Sequence, residues 1–245
     1  MSLNTRMRIG MLTPSSNTVL EPVTTRMLAQ LPAVSVHFNR FRVLEIALSD
    51  QALRQFATPE IVRAAALLED ARCDVIAWNG TSSGWLGFDA DEELCRAIEA
   101  ATGAQACTSV LALNQILHAT GVRKLGLVTP YLSAVQQRII ANYARIGIEI
   151  VAEQHMGLQD NYSFSEVEES AIADAVRAVA ASRPDAIAIF CTNLWGAPLV
   201  AGLEAECGLP VYDTIQTVVW QSLRLGGQPA SAITGWGSLF QRDIA

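Results

Sequence analysis

One cysteine of this chain, Cys191, stands where a thiol could take part in chemistry. It follows the apolar run 185–190 and precedes Thr192 and Asn193. We therefore expect its sulfur at the end of a buried strand, near free backbone N–H groups at a helix start, where a nucleophile or proton donor is well placed. Free cysteine also often acts only as a small buried hydrophobic side chain, so the residue type alone leaves both interpretations open.

Two stretches in the first half carry hydroxyl and amide side chains in a similar setting. Residues 13–18 read Thr-Pro-Ser-Ser-Asn-Thr and residues 80–84 read Gly-Thr-Ser-Ser-Gly, each after an apolar run. Such neutral donors can hold a carboxylate and stabilise a developing enediolate. The same residue types commonly cap helices, so neither stretch alone indicates a binding site. The binding interpretation depends on both stretches lying close to Cys191 in the fold.

Other kinds of chemistry lack their residues. His37, His118 and His155 lie outside the strand ends, which disfavours a hydrolase triad. We find no GxGxxG after a first strand, no phosphate-binding lysine loop and no clustered metal ligands, and therefore expect neither cofactor nor metal. The cysteines are odd in number and form no CxxC pair, which argues against a zinc cage or a disulfide framework.

The elements that must position these residues repeat along the chain. Residues 8–14 (Arg-Ile-Gly-Met-Leu-Thr-Pro) return at 124–130 as Lys-Leu-Gly-Leu-Val-Thr-Pro. The strand that leads to Gly80 returns before Cys191, and residues 103–108 have an echo at 208–213. Three echoes in one order predict an internal duplication that makes Gly80 the counterpart of Cys191.

Within each half, short apolar runs alternate with longer helical patterns. The strand-like runs are 8–12, 74–78, 124–128 and 185–190, and the clearest helical patterns are 58–73, 91–101 and 165–181. This alternation predicts an α/β fold of two pseudo-symmetric Rossmann-like lobes with parallel sheets. We place the lobes at 1–120 and 121–225, with 226–245 packing back on the first. The loops after the strands should meet in a cleft between the lobes, since ligands bind there in such sheets.

Composition limits the class of partner. The chain has 245 residues, 51% of them hydrophobic, and a formal net charge of −7, which argues against disorder and against nucleic-acid binding. No apolar run has the length of a signal peptide or a membrane helix, so we expect a cytoplasmic protein without membrane contact. A small molecule is the expected partner, and a homo-oligomer stays open.

A family resemblance rests on residues spread over nearly the whole chain. The motifs are Pro14-Ser15-Ser16-Asn17-Thr18, Gly80-Thr81-Ser82, Thr129-Pro130-Tyr131, Asp160-Asn161 and Cys191-Thr192-Asn193. In this order they resemble the aspartate/glutamate racemase superfamily, in the branch of maleate cis-trans isomerases and arylmalonate decarboxylases. The resemblance implies a small dicarboxylate substrate, a catalytic Cys191 and an active site between the lobes. Two-cysteine members carry a thiol on each lobe, whereas Gly80 leaves the first lobe without one, as in arylmalonate decarboxylases.

The resemblance also implies which residues bind the substrate and its oxyanion. They are Pro14, Ser15, Asn17, Gly80, Thr81, Ser82, Tyr131, Asn161, Thr192 and Asn193. We predict a cofactor-independent decarboxylase of a substituted malonate-like dicarboxylate, in which Cys191 protonates the enediolate left when CO2 departs. The Ser15-Ser16-Asn17 loop and Asn161 look more like maleate isomerases, so an isomerase or racemase that uses Cys191 is the alternative. A non-catalytic dicarboxylate-binding protein is the further alternative.

Overall fold

Two sheets of four parallel strands form the framework of the computed structural model, which describes residues 6–242 and 244. The strands are β1 (Met7–Pro14), β2 (Val34–Phe41), β3 (Val75–Trp78), β4 (Gln105–Thr108), β5 (Lys124–Thr129), β6 (Glu149–His155), β7 (Ala186–Ile189) and β8 (Val211–Asp213). Their orders are β2-β1-β3-β4 and β6-β5-β7-β8. The second sheet thus repeats the topology of the first, and the predicted two-lobed α/β fold is confirmed.

Helices follow the strands in both halves. The α-helices are α1 (Leu20–Leu28), α2 (Asp50–Arg54), α3 (Thr58–Glu69), α4 (Ser83–Leu86), α5 (Phe88–Thr102), α6 (Ser109–Ala119), α7 (Ser133–Arg145), α8 (Glu169–Ala180), α9 (Val200–Cys207) and α10 (Thr214–Leu225). Short 3-10 helices occupy Ser163–Glu166, Ala197–Leu199, Ala230–Ala232 and Leu239–Gln241. No helix among the described residues has both the length and the apolar character needed to cross a membrane.

Burial patterns explain why these segments form these elements. Every residue of the central strands β3 and β7 is buried, as expected for parallel strands covered by helices on both faces. Helix α8 buries Ile172, Val176 and Val179, spaced three or four residues apart, and leaves its opposite face to solvent. The sequence therefore specifies both the strand interior and the helix face that covers it.

The two lobes join through helices and through the segment that follows α10. Helix α10 packs against α6, where the Thr217 hydroxyl donates to the Ser109 carbonyl at 2.9 Å. Further along, Thr234 exchanges hydrogen bonds with Gln30, two residues after α1, and the N–H of Ser238 donates to Glu204 on α9 at 2.6 Å. The C-terminal segment thus contacts both lobes, and the domain limits 1–120, 121–225 and 226–245 stay a prediction.

Candidate active site

Cys191 lies immediately after β7, at the carboxyl end of the second sheet. Its side chain is 3% exposed, and its Sγ accepts a hydrogen bond from the backbone N–H of Asn193 at 3.3 Å. The expected helix start at this point is wrong, because α9 begins only at Val200, after a 3-10 turn. A turn over residues 191–196, called the Cys191 loop below, supplies the backbone donor instead.

The sulfur of Cys191 is a thiol at neutral pH. Burial raises its pKa to about 12, and the carboxyl of Asp213 also raises it. Hydrogen bonds from the backbone of Asn193 and from the side chain of Tyr131 lower the pKa but do not offset burial. Burial thus favours a protonated sulfur at this site.

Tyr131, after β5, connects the thiol to the first lobe. Its buried hydroxyl shares a hydrogen bond of 2.5 Å with Thr81 Oγ1 and also hydrogen-bonds to Cys191. Burial raises the pKa of Tyr131 well above its usual value, so the phenol stays neutral. Its ring packs edge-on against Trp85 at 5.3 Å and Phe164 at 5.6 Å, measured between ring centroids. A chain of three hydrogen-bonding groups thus crosses between the lobes inside an aromatic wall.

Gly80 lies where the two strand-end loops meet. The hydroxyl of Thr192 donates to the carbonyl of Asn79 at 3.0 Å, which joins the residue before Gly80 to the residue after Cys191. A Cβ added at Gly80 would overlap the indole of Trp78, a fully buried side chain packed on Phe41. Glycine is therefore needed here because the indole approaches the backbone closely.

Asn17 ties the first loop to the Cys191 loop. Its Nδ2 donates to the Thr192 carbonyl at 2.9 Å, while its Oδ1 accepts from the backbone N–H groups of Val19 and Leu20 at 3.0 and 2.9 Å. The Asn17 side chain therefore binds backbone N–H groups at the start of α1 and also joins the two lobes. In this closed arrangement its hydrogen bonds all run to protein groups.

Asn161 and Asn193 extend the same amide network. Asn193 accepts from the Thr18 N–H at 3.0 Å and donates to the Asn161 carbonyl at 2.6 Å. Asn161 Nδ2 in turn donates to Ser16 Oγ at 2.7 Å. Ser15 instead exchanges hydrogen bonds with the Val43 backbone, outside the Cys191 loop. The network holds the two lobes closed over the thiol.

The structure brings the expected residues together to different degrees. Asn193 and Tyr131 hydrogen-bond to the sulfur directly, and Thr81 reaches it through the Tyr131 hydroxyl. The side chain of Asn17 hydrogen-bonds to Thr192, and the carbonyl of Asn161 accepts from Asn193. Pro14 and Ser82 are buried at the ends of their loops, where Pro14 ends β1 and Ser82 precedes α4.

Sequence reasoning missed Asp213, and it left Ser16, which stands in the motif 14–18, out of the predicted binding residues. Ser16 joins Asn161 to the first lobe, and Asp213 influences the pKa of Cys191. The signal for Asp213 was present, because the third echo ends on it at the end of a strand. Among the described residues no group of three or more His, Cys, Asp or Glu is suited to a metal ion, and the five cysteines, all described, are free thiols.

A surface cavity of about 750 Å³ adjoins the closed network. Its lining includes Arg42, Leu44, Glu45 and Arg54 from the first lobe and Gln159 and Asp160 from the second. The Asn161 N–H donates to the Leu44 carbonyl at 2.8 Å at this seam. The cavity thus lies over the boundary between the lobes, one residue from the amide network. Its lining carries charges of both signs, from two arginines, Arg42 and Arg54, and three acidic residues, Glu45, Glu60 and Asp160.

Known proteins are similar to this chain in sequence and fold. The chain matches the family model for arylmalonate decarboxylase over residues 14–240. It is 30% identical over 186 residues to the arylmalonate decarboxylase of Bordetella bronchiseptica, covering 75% of this chain and 78% of that protein. It is 27% identical over 247 residues to the maleate isomerase of Nocardia farcinica, covering 97% of each. A solved structure of Nocardia farcinica maleate cis-trans isomerase, a cysteine-to-serine variant with a covalently bound succinylcysteine intermediate, has a TM-score of 0.88 at 24% identity and covers 97% of this chain and 99% of that chain.

Proposed function

Since the chain belongs to the arylmalonate decarboxylase family, a membership that its motifs predicted, we propose that it is a cofactor-independent decarboxylase of substituted malonate-like dicarboxylates. The observation that carries this proposal is that the loops joining the two lobes hold one thiol, Cys191, which accepts a hydrogen bond from the Asn193 N–H and lies beside the neutral phenol of Tyr131. Its repeat counterpart, Gly80, carries no side chain. One proton donor is what decarboxylation followed by protonation requires.

The chemistry proceeds in two steps. Thr81, Tyr131 and the backbone N–H groups of the Cys191 loop bind the carboxylate that is retained. The other carboxylate leaves as CO2, and the electrons of the broken C–C bond form an enediolate that the same donors stabilise. Cys191 then gives its thiol proton to the carbon, and solvent returns a proton to the sulfur after the product leaves. The buried aromatic wall favours the first step, because the departing charged group becomes a neutral gas.

Maleate isomerase is the second candidate. Its support is the similarity to the Nocardia enzyme, which spans 97% of both chains. That enzyme retains a succinylcysteine after another cysteine is changed to serine, so it has at least two cysteines, and addition to a double bond needs a thiolate. Here burial favours the thiol form of Cys191, and Gly80 supplies no second thiol. These features favour decarboxylation.

A substrate test in deuterated water separates the candidates. We expect phenylmalonate to release CO2 and give phenylacetate with one new deuterium at the carbon, while maleate stays unchanged. Formation of fumarate without CO2 release from any malonate would establish the isomerase instead. Absence of both reactions, with malonate protecting Cys191 from iodoacetamide, would establish a binding protein.

Replacing the thiol tests its role directly. Cys191→Ser should keep the fold and lose turnover by about a hundredfold or more, because a hydroxyl is a far weaker acid than a thiol. Cys107→Ser is the matched control, since Cys107 is also buried at a strand end with its pKa raised to about 12. Turnover of Cys191→Ser near that of the control would remove the thiol from the mechanism.

A further inference from the structure

An arginine that no step above uses lies against the loop that follows β1. Arg40 is the next-to-last residue of β2, and its side chain reaches across to this loop. Its Nη1 donates to the carbonyl of Ser15 at 3.0 Å and to the carbonyl of Asn17 at 2.8 Å. Its Nη2 forms an ion pair with Glu21 of α1 at 2.7 Å. Three contacts thus hold the guanidinium against one side of the loop.

One peptide group of this loop connects Arg40 with the second lobe. The carbonyl of Asn17 faces Arg40, and the described residues contain no cis peptide bond. In a trans peptide the C=O and N–H bonds point in opposite directions, so the N–H of Thr18 is directed away from Arg40. That N–H donates to Asn193 Oδ1 at 3.0 Å. The peptide between Asn17 and Thr18 therefore links a cation of the first lobe to the Cys191 loop.

The charge of Arg40 strengthens this link. A hydrogen bond from a guanidinium is stronger than one between neutral groups. It also polarises the peptide that accepts it, which makes the N–H on the opposite side a better donor. Asn193 accepts this N–H and, through its own backbone N–H, donates to the sulfur of Cys191 at 3.3 Å. The peptide and Asn193 are thus the two groups that lie between the guanidinium and the thiol.

The contacts of Arg40 with the carbonyls matter more than its ion pair. The side chains of Arg40 and Glu21 are 38% and 34% exposed, and ion pairs so open to water contribute little to stability. The carbonyl of Asn17 belongs to the residue whose Nδ2 also donates to the Thr192 carbonyl at 2.9 Å. Movement of this loop would therefore weaken two hydrogen bonds to the Cys191 loop together.

We propose that Arg40 is a positioning residue that holds the loop 14–18 against the Cys191 loop and thereby keeps the two lobes closed over the thiol. Arg40 acts through Asn17 and Asn193 and does not contact the sulfur. The inference rests on the proposed function in one respect, which is that Cys191 is the reacting group of the site.

The test measures how fast iodoacetamide labels Cys191 in the native protein at pH 8, followed by peptide mass spectrometry. A buried thiol is labelled only when the structure around it opens. Arg40→Gln should speed this labelling about tenfold, because hydrogen bonds from a charged donor are lost. Cys107, buried in β4, is the internal reference, and its rate should not change. An equal acceleration at both cysteines would overturn the proposal, because Arg40 would then support only the fold as a whole.

Three matched variants separate the contacts of Arg40. Arg40→Lys keeps the charge and should restore part of the slow labelling, and it replaces Arg40→Gln if circular dichroism shows that the glutamine variant does not fold. Glu21→Gln removes the ion pair and keeps the carbonyl contacts, so it should label at the parent rate. Arg177→Gln should do the same, since Arg177 is an exposed arginine that binds Glu206 and Asp174. Fast labelling of Glu21→Gln would contradict the proposal.

A double variant tests the route from Arg40 to the thiol. Asn193→Ala removes the acceptor of the Thr18 N–H and should by itself speed the labelling of Cys191. Adding Arg40→Gln should then have much less than its separate effect, because both changes break one chain of contacts. Effects that multiply would overturn the route. These rates need no substrate, so the inference about Arg40 can fail while the decarboxylase proposal stands, and a malonate screen without turnover leaves the labelling result valid.

Discussion

At the level of single residues, burial decides what the thiol of Cys191 can do. A pKa raised from 9.0 to about 12 favours the thiol over the thiolate by about 4 kcal/mol more than in an ordinary cysteine. The donors from Asn193 and Tyr131 oppose this shift without reversing it, because removing a charged group from water costs more than two hydrogen bonds return. The raised pKa therefore suits a thiol that donates a proton, and it disfavours a thiolate that acts as a nucleophile.

Tyr131→Phe tests whether the phenol stabilises the reaction. The variant loses the hydroxyl that connects Thr81 and Cys191, so turnover of a malonate should fall about tenfold to a hundredfold. Tyr143→Phe is the control, because Tyr143 is equally buried and its hydroxyl has no partner among the described residues. Steady-state kinetics measure both variants. Equal activity in the two would show that the Tyr131 hydroxyl is not used.

Some site residues could be predicted from sequence and others could not. The convergence of Thr81, Tyr131 and Cys191 was predictable, because repeated strand ends must meet at one edge of paired sheets. The protonation state of the sulfur was not, since a linear sequence does not give the depth of burial. The unpartnered oxygen of Asp213 was hidden for the same reason, as it depends on the close approach of Gly196.

At the level of elements, apolar runs gave the strands and helical periodicity gave the helices, with errors at the ends. The pattern 58–73 became α3 at Thr58–Glu69, and 165–181 became α8 at Glu169–Ala180, with a 3-10 helix before it. The largest error followed β7, where a turn precedes α9. Residues 191–196 include residue types that commonly cap the start of a helix. Their side chains instead bind the opposite lobe, as the Thr192 hydroxyl does at the Asn79 carbonyl. Contacts between lobes thus override local helix signals.

Helix α5 carries a buried carboxyl that should make stability depend on pH. Burial raises the pKa of Asp91 to about 6, above its ordinary 3.8, while a 2.5 Å hydrogen bond from Thr108 lowers it only in part. A raised pKa stabilises the folded state fully below about pH 4, and this contribution is lost as the pH rises through 6. Asp91→Asn lacks this ionisation and keeps an acceptor for Thr108.

The parent should therefore lose about 2 kcal/mol of stability relative to Asp91→Asn between pH 4 and pH 7. Urea unfolding at both pH values measures the difference, and comparing the two proteins at each pH cancels the ionisation of the exposed carboxylates. A difference that does not change with pH would show that Asp91 is ionised in the folded protein.

At the level of the whole molecule, the duplication builds two similar lobes, but only one of them carries a thiol in the cleft. The repeated topology places the loop of Gly80 against the Cys191 loop, and Thr192 joins them through Asn79. In the first lobe the indole of Trp78 occupies the space that a side chain at residue 80 would need. The asymmetry between the lobes therefore lies in the packing around the cleft as well as in the residue type at position 80.

Restoring a second thiol consequently requires two changes. Gly80→Cys alone should destabilise the protein by about 1–3 kcal/mol, because its Cβ must displace a fully buried indole that packs on Phe41. Combining it with Trp78→Ala removes the indole and leaves room for the thiol, at the cost of a cavity. The double variant should show a racemase or isomerase activity, or protonate the enediolate partly from the opposite face.

The control is the Gly80→Ala, Trp78→Ala pair, which has the same space and the same cavity without a thiol. Thermal melting followed by circular dichroism confirms that both pairs fold. Chiral chromatography of the product from a malonate with two different substituents then reports the face of protonation. If the thiol-bearing pair folds and gives the same enantiomer as its control, residue 80 does not face the substrate opposite Cys191. A mixed or inverted product would show that the two loops of the duplication still present their side chains to one carbon atom.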